Sequence, residues 1–172
     1  GPEVPIISGV AHDNTESLAT VRRVPNEPGM AAKVFTLLAE AGVNVDMIVQ
    51  ASASTGTADI SFTVPGSAAA KVRDVLQEKQ DELGYQSFDI DANVGKVAVV
   101  GVGMKTHSGL AAKFFNALSD EGVNVLMIST SEIRIAALVP LEQLQDAVRA
   151  LHTAYGLDAE QVEAVVYGGT GR

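Results

Sequence analysis

Cysteine and tryptophan are both absent from the 172 residues, and aromatic residues make up only 5%. Without cysteine there is neither a disulfide framework nor a thiolate nucleophile, and a cytoplasmic chain is the economical expectation. Basic residues are scarce: 12 Lys and Arg stand against 21 Asp and Glu, for a formal charge of −9. Nucleic-acid binding draws most of its affinity from clustered Lys and Arg, and Arg22-Arg23 is the only adjacent basic pair, so a nucleic-acid partner is excluded. No apolar run approaches the roughly 18 residues that suggest a membrane span, and no secretory leader precedes the first strand, so no membrane partner is expected. Gly1-Pro2 reads as the remnant of a protease cut, with the natural chain expected to start differently. His12, His107 and His152 are too scattered to ligate a metal, and no cofactor is expected. Gly101-Val-Gly103 meets Thr106 where a dinucleotide fingerprint needs a third Gly, and the Gly168–Arg172 tail lacks the Lys and helix of a phosphate loop. Catalysis therefore has little to stand on.

What the chain does have is a repeat. Gly29 to Gln50, GMAAKVFTLLAEAGVNVDMIVQ, returns as Gly109 to Thr130, GLAAKFFNALSDEGVNVLMIST, with twelve of the twenty-two aligned positions identical. A spacing of eighty residues exceeds the roughly 20 to 50 of solenoid units and fits two tandem copies of a small domain.

Apolar spacing assigns the elements of each copy. Val4 to Val10 and Ala19 to Val24 read as strands. Asn26 offers a helix cap with Pro28 near the first helical position, and Ala31, Val34, Phe35, Leu38 and Ala41 form one helical face that Gly42 ends. Val45 to Val49 and Ala58 to Val64 are strands, a second helix runs from Ser67 to about Leu83, and Gln86 to Ile90 closes the copy. Lys96 to Val102 begins the order again, followed by a helix from Gly109 to about Glu121 and strands at Val125 to Ser129 and Ile133 to Val139. A helix from Leu141 to Thr153 and a late strand at Val162 to Tyr167 complete it. Strand, helix, strand, strand, helix, strand is the ferredoxin-like βαββαβ order, so the expected fold class is α+β, with antiparallel sheets carrying helices on one face. The expected domains are residues 3–94 and 95–172, and the surplus strands at the two ends could exchange between them.

In each copy a strand runs through a Gly-containing loop into a helix: Asn26-Glu27-Pro28-Gly29 and Thr106-His107-Ser108-Gly109. Unpaired N–H groups and a partial positive charge at a helix start suit a carboxylate, and Gly leaves room for backbone to approach it. The same glycines would also serve close packing of helix on sheet. Asn44 and Asn124, at the strand starts, are either turn formers or acceptors for an ammonium. Together, helix start and Asn describe an α-amino acid site.

The segments SGVAHD, EPGMAAKVF, VNVDMIVQ, TADISFTV, GKVAVVGVGMKTHSG, VNVLMISTSEIRI and AVVYGGTGR make the chain, from Ile6 to Arg172, resemble the regulatory region of the aspartokinase family. In that family the region is two ACT domains, either fused to the kinase or in a separate small subunit. The resemblance implies a regulator without catalytic activity of its own, whose domains pair in a homodimer, bind threonine and/or lysine at their interfaces, and feedback-inhibit a catalytic subunit or domain. One effector site would use Asn26, Pro28, Gly29, Met30, Ala31 and Gln50 with Asn124 and Val125. The other would use His107, Ser108, Gly109, Leu110, Ser129, Thr130, Ser131 and Glu132 with Asn44, Val45 and Asp46. The family usually carries Asp at the place of Asn26, Pro at Ser108, an acidic residue at Leu126, and Ser before an aliphatic residue at Ala136-Ala137, so lysine is less well provided for than threonine. An amino-acid sensor of another enzyme, and an assembly module with no ligand, are the alternatives.

Overall fold

The computed structural model describes residues 6–104, 108–157 and 165–166, and divides the chain into two compact units, Thr15–Ala92 and the combination of Gly1–Asn14 with Asn93–Arg172. Both are α+β with a helix-covered sheet.

In Thr15–Ala92 the strands β2 (Glu16–Pro25), β3 (Ile48–Ser52), β4 (Thr57–Pro65) and β5 (Ser87–Asp91) lie in the order β3-β4-β2-β5, all neighbours antiparallel. The helices α1 (Met30–Glu40), α2 (Ala69–Glu78) and the short α3 (Gln80–Leu83) pack on the sheet through Val34, Leu38, Val72, Leu76 and Leu83. Alternation along β4 turns Ile60, Phe62 and Val64 toward them, and all three are buried, as their period-two spacing predicts. Phe62 meets Phe35 edge to face at 5.5 Å, a favoured geometry for aromatic pairs. Gly42 adopts φ +79, the left-handed stop expected after α1. The helix expected from Ser67 to Leu83 is instead a 3-10 turn at Gly66–Ala68 followed by α2 and α3, parted at Lys79. The Tyr85 hydroxyl donates to the Leu76 carbonyl at 2.6 Å where the helical ladder is interrupted.

The other unit repeats the plan with β6 (Val94–Val102), α4 (Ser108–Asp120), β7 (Met127–Thr130), β8 (Arg134–Pro140) and α5 (Leu144–Ala154). Its strand order is β7-β8-β6-β1-β9, where β1 is Ile6–Asp13 and β9 is Val165–Val166. Phe114, Leu118, Leu144, Val148 and Leu151 cover Val97, Val99, Ile135 and Ala137. The place beside β6 that β5 holds beside β2 is taken by β1, antiparallel from Gly9↔Val100 to Asp13↔Lys96. β9 pairs parallel with β1, not with β6. A division at residue 95 would separate β1 from the sheet it joins, and both terminal strands lie in that one sheet. Periodicity marks a segment as a strand but not its partner, and β1 lies more than eighty residues from β6 along the chain. The rest of the expected Val162–Tyr167 strand lies outside the described residues.

Candidate functional site

In the Thr15–Ala92 unit the turn between β2 and α1 is fixed by its own backbone. Asn26 N–H donates to the Gly56 carbonyl at 3.0 Å, Glu27 N–H to Pro25 at 3.0 Å, and Met30 N–H to Glu27 at 3.2 Å. Gly29 then stands at φ +91, ψ −9 as the residue capping α1, with no side-chain capping bond. That left-handed conformation is one that an L side chain adopts only at a cost.

Asn26, expected as the cap, is used otherwise. Its Nδ2 donates to Ser52 Oγ at 3.3 Å, and Gln50 Nε2 donates to its Oδ1 at 3.4 Å. A capping side chain must sit directly before the helix to reach the N–H groups of its second or third residue, and Gly29, not Asn26, occupies that place. The consequence is an open helix start beside a polar wall. A cavity of about 170 Å³ is lined by Asn26, Glu27, Gly29, Met30, Ala31, Ala32 and Gln50 over an apolar floor of Val24, Ala58 and Ile60. Of the residues expected here, Asn26, Gly29, Met30, Ala31 and Gln50 come together, while Pro28 is exposed outside the lining. Glu27, Ala32 and Ser52 were not anticipated. Ser52 could have been, since it stands two residues after Gln50 on the same strand and so shares its face.

The second repeat differs at the corresponding place. α4 already begins at Ser108, so Gly109 is helical and not a cap. His107 lies outside the described residues. The Leu110 carbonyl accepts the Tyr155 hydroxyl at 2.9 Å, tying the first turn of α4 to the end of α5. Burial pushes the Tyr155 phenol up to about 12, and Lys113 Nζ lies 5.2 Å from its ring centre, a cation–π contact. Ser129 and Thr130 end β7. Beyond them Ser131 N–H donates to the Arg134 carbonyl at 2.8 Å, Ile133 N–H to Ser131 Oγ at 3.3 Å, and Met104 N–H to the Glu132 carbonyl at 3.2 Å. The turn is thereby tethered to the segment that leads from β6 toward α4.

Asn44, Val45 and Asp46 precede β3, and Asn124 and Val125 precede β7, whereas Gln50 is the middle residue of β3 and Thr130 the last of β7. Among the described residues no cluster of His, Asp or Glu could hold a metal, and no helix is long and apolar enough to cross a membrane.

Comparison with known proteins follows the repeat. An ACT domain family model matches residues 22–80 and again 97–155. Aspartokinase from Corynebacterium glutamicum is 45% identical over 172 residues, covering 99% of this chain and 41% of its own length. The chain thus spans about two fifths of the curated relatives it matches. A crystal structure of aspartokinase alpha and beta subunits superposes with a TM-score of 0.83 at 42% identity, over 88% of this chain and 99% of that one. The regulatory subunit of aspartate kinase from Thermus thermophilus, in its ligand-free form, gives a TM-score of 0.83 at 36% identity, over 87% and 99%.

Proposed function

Because this chain belongs to the ACT domain family and is a regulatory ACT region of aspartokinase, we propose that it senses threonine and/or lysine and restrains aspartate phosphorylation by a catalytic partner. The observation that carries the reading is the cavity at Asn26 and Gln50, where a helix start without a side-chain cap adjoins two side-chain amides, one of them held by the Ser52 hydroxyl. The N–H groups and positive dipole end of α1 suit an α-carboxylate. The amides offer donors and acceptors to a short polar side chain, and the apolar floor suits its methyl group. Threonine has that composition. Lysine would need an anion for its second ammonium; Glu27 is the one carboxylate in the lining, and Asn26 and Leu126 are neutral.

The α-ammonium is assigned to Asn124 and Val125 of a second domain, the strand-start residues that the family resemblance pairs with this helix start. The other site would combine Ser108, Gly109, Leu110 and the Ser129–Glu132 turn, with His107, and Asn44, Val45 and Asp46 from its partner domain. Homodimerisation belongs to the proposal. The edge strands β3 and β7 expose Ile48 at 52% and Ile128 at 50%, apolar surface that strand-edge pairing would cover. Effector bound across such an interface stabilises one arrangement over another, and that differential affinity is what shifts a catalytic partner.

A thermal-shift screen of the twenty amino acids tests this. Threonine should raise the melting temperature, lysine should do so less, and unrelated amino acids should leave it unmoved. A flat response to both threonine and lysine would sink the proposal.

A further inference from the structure

The two repeats build similar loops that differ in their side-chain bonds: the first is held at its end by Met47 N–H donating to Thr63 Oγ1 at 3.0 Å, and the second is held at its asparagine. After α1, Gly42 N–H donates to Ala39 at 2.9 Å and Val43 N–H to Leu38 at 3.0 Å; after α4, Gly122 donates to Ser119 at 2.9 Å and Val123 to Leu118 at 3.0 Å. Further on, Asp46 N–H donates to Thr63 at 3.0 Å and Leu126 N–H to Leu138 at 2.7 Å. Between these matched anchors the loops diverge at their asparagines. Asn124 N–H donates to Gln143 Oε1 at 2.9 Å, and Gln143 Nε2 donates to the Gly122 carbonyl at 3.1 Å. One side-chain amide thus clamps both sides of the loop.

Gln143 is the third residue after Pro140, and the third residue after Pro65 is Ala68. Methyl cannot clamp anything. At that place the first repeat has a cavity of about 310 Å³ lined by Gly42, Asn44, Ser67, Ala68 and Lys71 among others, and no side chain reaches Asn44 N–H among the described residues.

We propose that Gln143 is a positioning residue for the effector site that uses Asn124, holding that loop in its binding shape before ligand arrives. The first loop has no such bracket at Asn44 itself, so the ligand must hold that amide in place. Ordering a loop on binding is charged against affinity, so the site that takes Asn44 is the weaker of the two, and filling is sequential: Asn26 with Asn124 first. The role of Gln143 rests on the effector-site reading given above.

Hydrogen exchange at the two asparagine amides and calorimetry with threonine, both on the intact chain, test it together. Gln143→Ala, and Gln143→Met, which keeps the bulk without the amide, should speed exchange at Asn124 and weaken the first threonine-binding event by about five- to tenfold, the worth of one net hydrogen bond. Their melting temperature without ligand should stay near that of the parent. Ala68→Gln should slow exchange at Asn44 and strengthen the second event by a similar factor. If Gln143→Met binds threonine as the parent does, the positioning role is overturned and the effector reading stands. If the parent itself binds neither threonine nor lysine, the effector reading falls and the role of Gln143 falls with it.

Discussion

At the scale of single residues, the proposed effector chemistry rests on Gly29 and Asn26. Gly29 lines the cavity at φ +91, and a Cβ there would meet no protein atom within 4 Å. A side chain at that position is thus resisted by backbone conformation, not by crowding, at about 1–2 kcal/mol for the left-handed geometry. Domains of this kind are stable by about 5–15 kcal/mol, so the fold should survive. Gly29→Ala is expected to keep its circular dichroism spectrum and lose threonine binding, because the added methyl stands where ligand would lie; retention of the parent affinity would remove Gly29 from the site. Asn26 sets the second expectation. Asn26→Asp keeps an acceptor for Gln50 and adds a charge, so lysine should gain about tenfold over threonine, as a charged hydrogen bond contributes about 1.5–3 kcal/mol. An unchanged preference between the two amino acids would show that Asn26 does not select ligand. The Gly at the start of α1 was legible in the sequence, but the direction of Asn26 was not. Position relative to the cap decides it, and helix starts are uncertain by a residue or two.

At the scale of elements, periodicity located most strands and helices, since each buries one face. Burial also fixes what is most costly to remove. Phe62 is fully buried against Phe35 and the α1 face, so Phe62→Ala should destabilise by about 3–5 kcal/mol in urea unfolding. Two features escaped the pattern. The break at Lys79 depends on Tyr85 reaching back to Leu76, a contact between residues nine apart that no helical period encodes. β1 depends on β6 for its place, and pairing across most of the chain leaves no local mark. Tyr155, which ties α5 to α4, supplies a pH test. Its folded pKa is raised to about 12 from an ordinary 10 by burial. Between those values the unfolded chain loses the phenolic proton first and the folded chain keeps it, so stability present below pH 10 falls as pH rises toward 12. Tyr155→Phe removes the hydroxyl and should flatten that part of the alkaline loss; an identical slope in the variant would refute the assignment.

At the scale of the whole molecule, duplication and charge work against each other. Two copies of one domain supply two helix starts and two asparagine loops, the parts from which the two proposed effector sites are drawn. Completion by a partner domain asks acidic chains to associate. At −9 each, two copies repel, and salt screens that repulsion. Sedimentation should therefore show the dimer strengthening from low to physiological ionic strength and again with threonine; a monomer at micromolar concentration in saturating threonine would contradict the shared sites. The duplication itself was plain from the sequence. The asymmetry between the copies, a capping Gly29 against a helical Gly109 and a clamping Gln143 against Ala68, was written in single residues whose meaning needed their neighbours in space.

Calorimetric titration of the intact chain with threonine bears on the central claim most directly. The account predicts saturable heat in two events, the stronger abolished by Gly29→Ala. No heat with threonine, with lysine, or with both together would contradict it.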